Sequence, residues 1–264
     1  MAAIKRPSSL LASLEIRSIY ELGALTMTFP FLQAAPKGDG HPVIVFPGFL
    51  TSDLSTLPLR LFLSSRNYAA YGWGMGRNYG AGIDMKAGVP KDAKSLVRLE
   101  KIVEKHGRKA TIIGWSLGGI YGREIARQRP ELVRQVITMG SPFNGKNPEA
   151  TNVQGLFEHF SGHQISEITP ELIDFVRTPP PVPSTAIFTR TDGIAAWECC
   201  IEQEADQTEN IGVLSSHTGL GFNPMVLWII ADRMAQAEGA WKPFDRRGLR
   251  SLLYTDEHSS YGFW

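Results

Sequence analysis

With 264 residues, 43% of them hydrophobic and 20% charged, the chain has the make-up of an ordinary globular protein, long enough to bury a sizeable core. Its 27 Lys and Arg against 26 Asp and Glu leave a formal charge of +1, with no basic stripe or acidic tail, which argues against nucleic acid or other polyanions as partners. The two cysteines, Cys199 and Cys200, are adjacent; neighbours rarely reach disulfide geometry and a pair of thiols makes no zinc site alone, so a reducing compartment fits, with an exported protein free of disulfides as the alternative, and a cytoplasmic chain is the simplest expectation.

Residues 1–39 read as an N-terminal extension of one domain that covers residues 1–264. Lys5, Arg6, Glu15, Arg17 and Glu21 interrupt what would be the apolar region of a secretory signal. No segment approaches the ~18 uninterrupted apolar residues of a membrane span, so no integral membrane segment is expected. Leu10 to Leu25 reads as an amphipathic helix that lies on the domain surface or covers a site.

From about residue 40, short β-branched runs alternate with helical stretches, which predicts a mainly parallel sheet with helices on both faces. Val43-Ile44-Val45-Phe46 is a buried strand ending at Pro47-Gly48, and a helix follows within Leu54 to Ser65. Tyr68 to Tyr71 is a weaker strand leading into the loop Gly72-Trp73-Gly74-Met75-Gly76-Arg77-Asn78. That loop lacks the lysine and helix start of a phosphate-binding loop, and Arg77 and Asn78 are read as pinning it. Pro90 to His106 is expected as a helix, with Leu96, Leu99, Ile102 and Val103 on one face and Pro90 in its first turn.

Next come a strand into Ser116, a helix to about Gln128 stopped by Pro130, and the strands Val136 to Met139, Ser184 to Thr189 and Ile211 to Leu214. Asn223 caps a last helix from Pro224 to about Gln236. Residues 143–183 break this rhythm with two weak helical patterns. They are expected as a small helical cap above the strand ends.

The run Thr111-Ile112-Ile113-Gly114-Trp115-Ser116-Leu117-Gly118-Gly119 carries the chemistry. A buried strand, a serine between glycines and a helix start make a sharp turn that presents a serine hydroxyl at the edge of a sheet. A serine attacks only with a general base beside it and an acid to orient that base. Among the six histidines, His41 and His106 precede the serine, His159 and His163 lie in the expected cap, and His217 and His258 come late.

At this point residues 40–240 resemble the α/β-hydrolase superfamily, most closely its bacterial esterases and lipases. The resemblance rests on Gly114-Trp115-Ser116-Leu117-Gly118, on Phe46-Pro47-Gly48-Phe49, on Ile187-Phe188-Thr189-Arg190-Thr191-Asp192-Gly193 and on Ser215-Ser216-His217-Thr218-Gly219. Pro47 stands where such enzymes carry a histidine in the oxyanion loop. The family's chain order of serine, acid and histidine implies Ser116 as nucleophile, Asp192 as acid and His217 as base. Glu198, Glu202, Glu204 and Asp206 are fallback acids, and His258 the competing base.

The same resemblance implies an oxyanion site at the backbone N–H groups of Phe49 and Leu117. Trp115, Phe143 and Trp197 are expected to line an acyl pocket, with ordinary core packing as the alternative. The implied reaction is hydrolysis of small carboxylic esters through an acyl-enzyme, with no cofactor and no metal. A lipase, thioesterase or amidase on the same triad, and a non-catalytic binding module that keeps the fold, are the alternatives.

Overall fold

A computed structural model of the chain describes residues 4–80, 83–84, 89–90, 93–145 and 147–259. Its elements in chain order begin with α1 (Ser9–Ser13), a single 3-10 turn (Leu14–Arg17), α2 (Ser18–Leu32), β1 (Pro42–Phe46), α3 (Leu57–Ser65) and β2 (Ala69–Gly72). A short antiparallel pair, β3 (Ile83–Asp84) and β4 (Val89–Pro90), precedes α4 (Ala93–His106), β5 (Ala110–Trp115), α5 (Leu117–Gln128) and β6 (Val133–Met139). The chain continues through α6 (Gln154–Ser161), α7 (Pro170–Arg177), β7 (Ser184–Phe188), β8 (Thr208–Gly212) and α8 (Pro224–Met234).

Six strands form one parallel sheet in the order β2-β1-β5-β6-β7-β8. The chain steps from β1 outward to β2, then crosses back to β5 on the other side of β1 and proceeds to the far edge. This reversal opens a crevice beyond the carboxyl ends of β1 and β5, the usual place for a ligand in an open parallel sheet. Phe46 is paired with Gly114 in register. The loop Pro47-Gly48 and the turn Trp115-Ser116 therefore leave the sheet side by side.

The four inner strands are buried on both faces, as parallel strands are, while the edge strand β2 is partly exposed. Because side chains alternate across a strand, Val43, Val45, Ile113 and Trp115 pack with α8 on one face, while Ile44, Phe46, Ile112 and the α5 residues Leu117, Tyr121 and Ile125 pack on the other. On that face α5 comes close to the sheet: a Cβ on Gly122 would lie 2.6 Å from an Ile112 methyl.

Four expectations shift. The helix expected from Pro90 begins at Ala93, since Val89 and Pro90 pair with Ile83 and Asp84; residues 91 and 92 lie outside the described part of the chain. The sixth strand starts three residues earlier than its β-branched run suggested, and the eighth lies at Thr208–Gly212 rather than Ile211–Leu214. The N-terminal segment is helical but inverted: Glu15, Arg17 and Glu21 are half-buried and bonded to the body, whereas Leu10, Ile16, Ile19, Tyr20, Met27 and Phe31 are exposed. It forms a strap that packs α2 against α8.

Candidate active site

Ser116 stands between the end of β5 and the first residue of α5, with φ 52° and ψ −124°. A positive φ on a residue with a Cβ costs on the order of 1–3 kcal/mol, a strain the surroundings must hold. They do so through backbone bonds: Ser116 N–H donates to the Met139 carbonyl at 2.8 Å, and Gly119 N–H donates to the Ser116 carbonyl at 3.0 Å. The glycines flanking the serine have steric reasons. A Cβ on Gly114 would lie 2.2 Å from the Gly119 Cα, and one on Gly118 would lie 2.4 Å from the Phe46 carbonyl oxygen.

Asp192 follows β7 in a turn closed by its own N–H on the Thr189 carbonyl at 3.2 Å. It is 3% exposed, so its carboxylate needs partners. Oδ1 accepts from the N–H groups of Ile194 and Ala195, both at 2.8 Å, and Oδ2 lies 2.6 Å from Nδ1 of His217. An ionised carboxylate only accepts, so Nδ1 carries the proton and Nε2 is left with the lone pair of a base. Burial by itself pushes the His217 pKa down; the adjacent Asp192 charge and hydrogen bond, with Glu15 behind them, outweigh it and leave the pKa raised above 6.5.

His217 and Ser116 share two neighbours. The His217 ring packs on Gly140, where an added Cβ would lie 3.1 Å from Nδ1, and Gly140 directly follows the residue whose carbonyl holds the Ser116 N–H. Trp115, the residue before the serine, donates its indole N–H to the His217 carbonyl at 3.1 Å.

Leu117 is the first residue of α5, so no carbonyl of its own helix reaches its N–H. Phe49 sits in the loop after β1, next to Gly48, where a Cβ would approach that of Ser116 to 3.3 Å. Buried Asn78 fixes this loop. Its side-chain amide donates to the Pro47 carbonyl at 2.9 Å, its carbonyl accepts from Leu50 N–H at 2.7 Å, and its N–H donates to the Thr51 carbonyl at 2.8 Å.

A cavity of about 170 Å³ opens at Ser116. Phe49, Leu117, Ile120 and Phe143 line it, and the α6–α7 region supplies Phe157, Ile165, Leu172 and Ile173. Thr169 caps α7 by accepting from Leu172 N–H at 3.2 Å, with Pro170 in the first turn, so the apolar face of this short helix is fixed over the cavity.

Two expected pocket aromatics lie elsewhere. Trp115 is in the core on the opposite face of the sheet, and Trp197 stacks on Phe188 with ring centroids 5.3 Å apart, under the Arg190 guanidinium at 4.0 Å. The fallback acid Glu202 is committed to a buried ion pair with Arg123 and to the Ser184 hydroxyl at 2.5 Å. His258 is exposed beside Glu257. Glu15 was not anticipated: it lies about 200 positions from His217, yet its carboxylate accepts from the N–H groups of Gly193, His217 and Thr218, each at 2.9 Å. Among the described residues no cluster of three or more His, Cys, Asp or Glu is placed to hold a metal ion, and no helix is long and apolar enough to cross a membrane.

No protein-family model matches the sequence, and no curated protein matches it. Solved structures do. Aspergillus fumigatus lipase B superposes with a TM-score of 0.58 at 15% identity over 76% of this chain, and the chain spans 54% of that protein's length. The mature form of Bacillus licheniformis lipase BlEst2 gives 0.54 at 13% identity, over 77% of this chain and 95% of that one. Paleococcus ferrophilus monoacylglycerol lipase gives 0.52 at 13% identity, over 75% and 96%. The chain has the α/β-hydrolase fold these proteins share.

Proposed function

We propose that this protein is a serine hydrolase that cleaves carboxylic esters with an apolar acyl group, through a Ser116–His217–Asp192 triad. The observation that carries the reading is the strained Ser116 on the lining of an apolar cavity, with a bonded His217–Asp192 pair whose imidazole lies against Gly140, the residue after the carbonyl that holds the Ser116 N–H.

In this reading Nε2 of His217 takes the hydroxyl proton as Oγ of Ser116 attacks the ester carbonyl carbon, and the carbonyl electron pair moves onto oxygen. The resulting oxyanion accepts from the N–H groups of Leu117 and Phe49, each such donor contributing roughly 3 kcal/mol to the transition state. The N-terminus of α5 adds favourable dipole at the same point. Collapse of the intermediate breaks the bond to the alkoxy oxygen, which leaves with the proton from His217. Water, deprotonated by His217, then attacks the acyl-enzyme; the acid departs and Ser116 recovers its proton. Asp192 keeps Nδ1 protonated and stabilises the imidazolium at each step.

An apolar cavity favours esters over charged or heavily hydrated substrates, and the lipases that share the fold point the same way. A fluorophosphonate probe followed by peptide mapping tests the assignment. Labelling at Ser116, lost together with p-nitrophenyl ester hydrolysis in Ser116→Ala, is the expected result; labelling at another residue, or hydrolysis retained by that variant, refutes it.

A further inference from the structure

The strap meets the body at the backs of the two loops that carry Asp192 and His217. Contact there is close enough to exclude side chains: a Cβ on Gly193 would lie 2.3 Å from the Leu11 carbonyl oxygen, and one on Gly219 would lie 1.9 Å from Oε2 of Glu21. Polar bonds fill the seam. Arg17 donates to the Thr191 hydroxyl at 2.9 Å and to the Ser215 carbonyl at 2.8 Å, and Glu21 accepts from the Ser215 hydroxyl at 2.6 Å and from Ser216 N–H at 2.7 Å. Arg17 also spans both loops, but Glu15 bonds His217 itself. Its Oε1 accepts from both Gly193, next to Asp192, and His217, while Oε2 takes Thr218.

We propose that Glu15 is a positioning residue of the site: its carboxylate ties the Asp192 loop to the His217 loop and so sets the distance between acid and base. This rests on the triad reading given above. Charge-assisted bonds to three N–H groups are strong ones, and they act on backbone, so they fix where the two side chains start rather than how they rotate. The carboxylate is also bound as an anion. Burial pushes its pKa up, but the Thr218, His217 and Gly193 backbone bonds outweigh that and hold it below 4.5. The ionisable groups facing the His217 ring and its backbone are Asp192 and Glu15, with Arg17 and Glu21 engaged on the adjoining Ser215–Ser216 segment.

Three variants of the full chain test the proposal. Glu15→Ala removes all three bonds, and kcat for a p-nitrophenyl ester is expected to fall on the order of 10- to 100-fold with KM within about twofold, as misplacement of catalytic groups does. Glu15→Gln keeps the oxygen shared by Gly193 and His217 but not the charge. It is expected to recover most of kcat while the acid limb of kcat/KM moves to lower pH, which lost packing alone does not cause. Where the alanine variant does not fold, Glu15→Asp, one methylene too short to serve both loops, carries the same expected loss. The low-field proton magnetic resonance of the His217 Nδ1–H reads the tie without any substrate, and is expected to broaden or vanish in Glu15→Ala at a temperature where the variant is folded. Wild-type kcat in Glu15→Ala or Glu15→Asp, equal losses in the alanine and glutamine variants, or an unchanged resonance overturns the role of Glu15. Absence of Ser116-dependent hydrolysis in the wild type instead overturns the triad reading, and the resonance still tests the tie.

Discussion

The indole of Trp115 and the backbone carbonyl of His217 are joined by a hydrogen bond of 3.1 Å, although the residues are 102 positions apart. The residue that precedes Ser116 thereby supports the His217 loop. Trp115→Phe keeps an aromatic ring, though a smaller one, but removes the indole donor to that carbonyl, at a cost of about 1–3 kcal/mol for the lost bond. The variant is expected to unfold at lower urea concentration and to lose kcat more than KM rises. Chemical denaturation alongside steady-state kinetics checks both; unchanged stability would show that the bond carries no load.

Activity is expected to fall on the acid side with an apparent pKa above 6.5. The sign follows from His217: it acts as a base only when neutral, and Asp192 and Glu15 favour its protonated form, so acid shuts the enzyme off at a higher pH than an isolated imidazole would. Asp192→Asn removes the group that holds Nδ1 protonated. It is expected to lower kcat about ten-thousandfold and to move the limb to lower pH. A kcat/KM profile from pH 5 to 9 checks the first point, and an acid limb below 6.5 in the wild type would contradict it.

Chain length is the test of the cavity. Each methylene taken from water into an apolar site contributes ~0.8 kcal/mol, or about fourfold in kcat/KM. A series of p-nitrophenyl esters is expected to climb by that factor per carbon and then level off where the cavity ends. Ile173→Trp, on the α7 wall, is expected to bring the plateau to shorter chains without changing kcat for the acetate. A flat series would place the acyl group outside the cavity.

Asn78 holds the loop that carries the Phe49 N–H, yet reaches no substrate position itself. Asn78→Ala frees the Pro47 carbonyl and the Gly80 N–H, which is bonded to the Asn78 side chain at 3.1 Å. The expected effect is a fall in kcat of up to about a hundredfold with little change in KM, since a displaced oxyanion donor harms the transition state alone. Equal changes in kcat and KM would mean that the loop shapes binding instead.

Local features of the site were legible because they are encoded within a few residues. Ser116, its glycines, the buried strand before it and the helix after it form one contiguous signal, and Pro47-Gly48-Phe49 another. Placing Asp192 and His217 needed chain order as well, because each sits on a loop whose partner is supplied by a different strand. The pocket aromatics were less legible. Trp115 is one residue from Ser116, but side chains alternate across a strand, and parity sends it to the face away from the cavity with Ile113. Trp197 lies close in sequence to Asp192, yet finds Phe188 and Arg190 first. Pro90 fits the first turn of a helix and pairs with a neighbouring segment instead. Glu15 gives no local sign at all; on an exposed-looking helix its charge reads as solvated, and only the folded chain supplies its three donors.

The strap has a consequence for synthesis. Glu15 is made 202 residues before His217, its partner. At about 5–20 residues per second that interval lasts roughly 10–40 s, during which the strap lacks the His217 loop it bonds and α8 to pack on. The tie that Glu15 makes between the Asp192 and His217 loops cannot be complete until residue 218 has left the ribosome. The seam is complete only when Glu15 folds back onto loops made 178 to 203 residues after it.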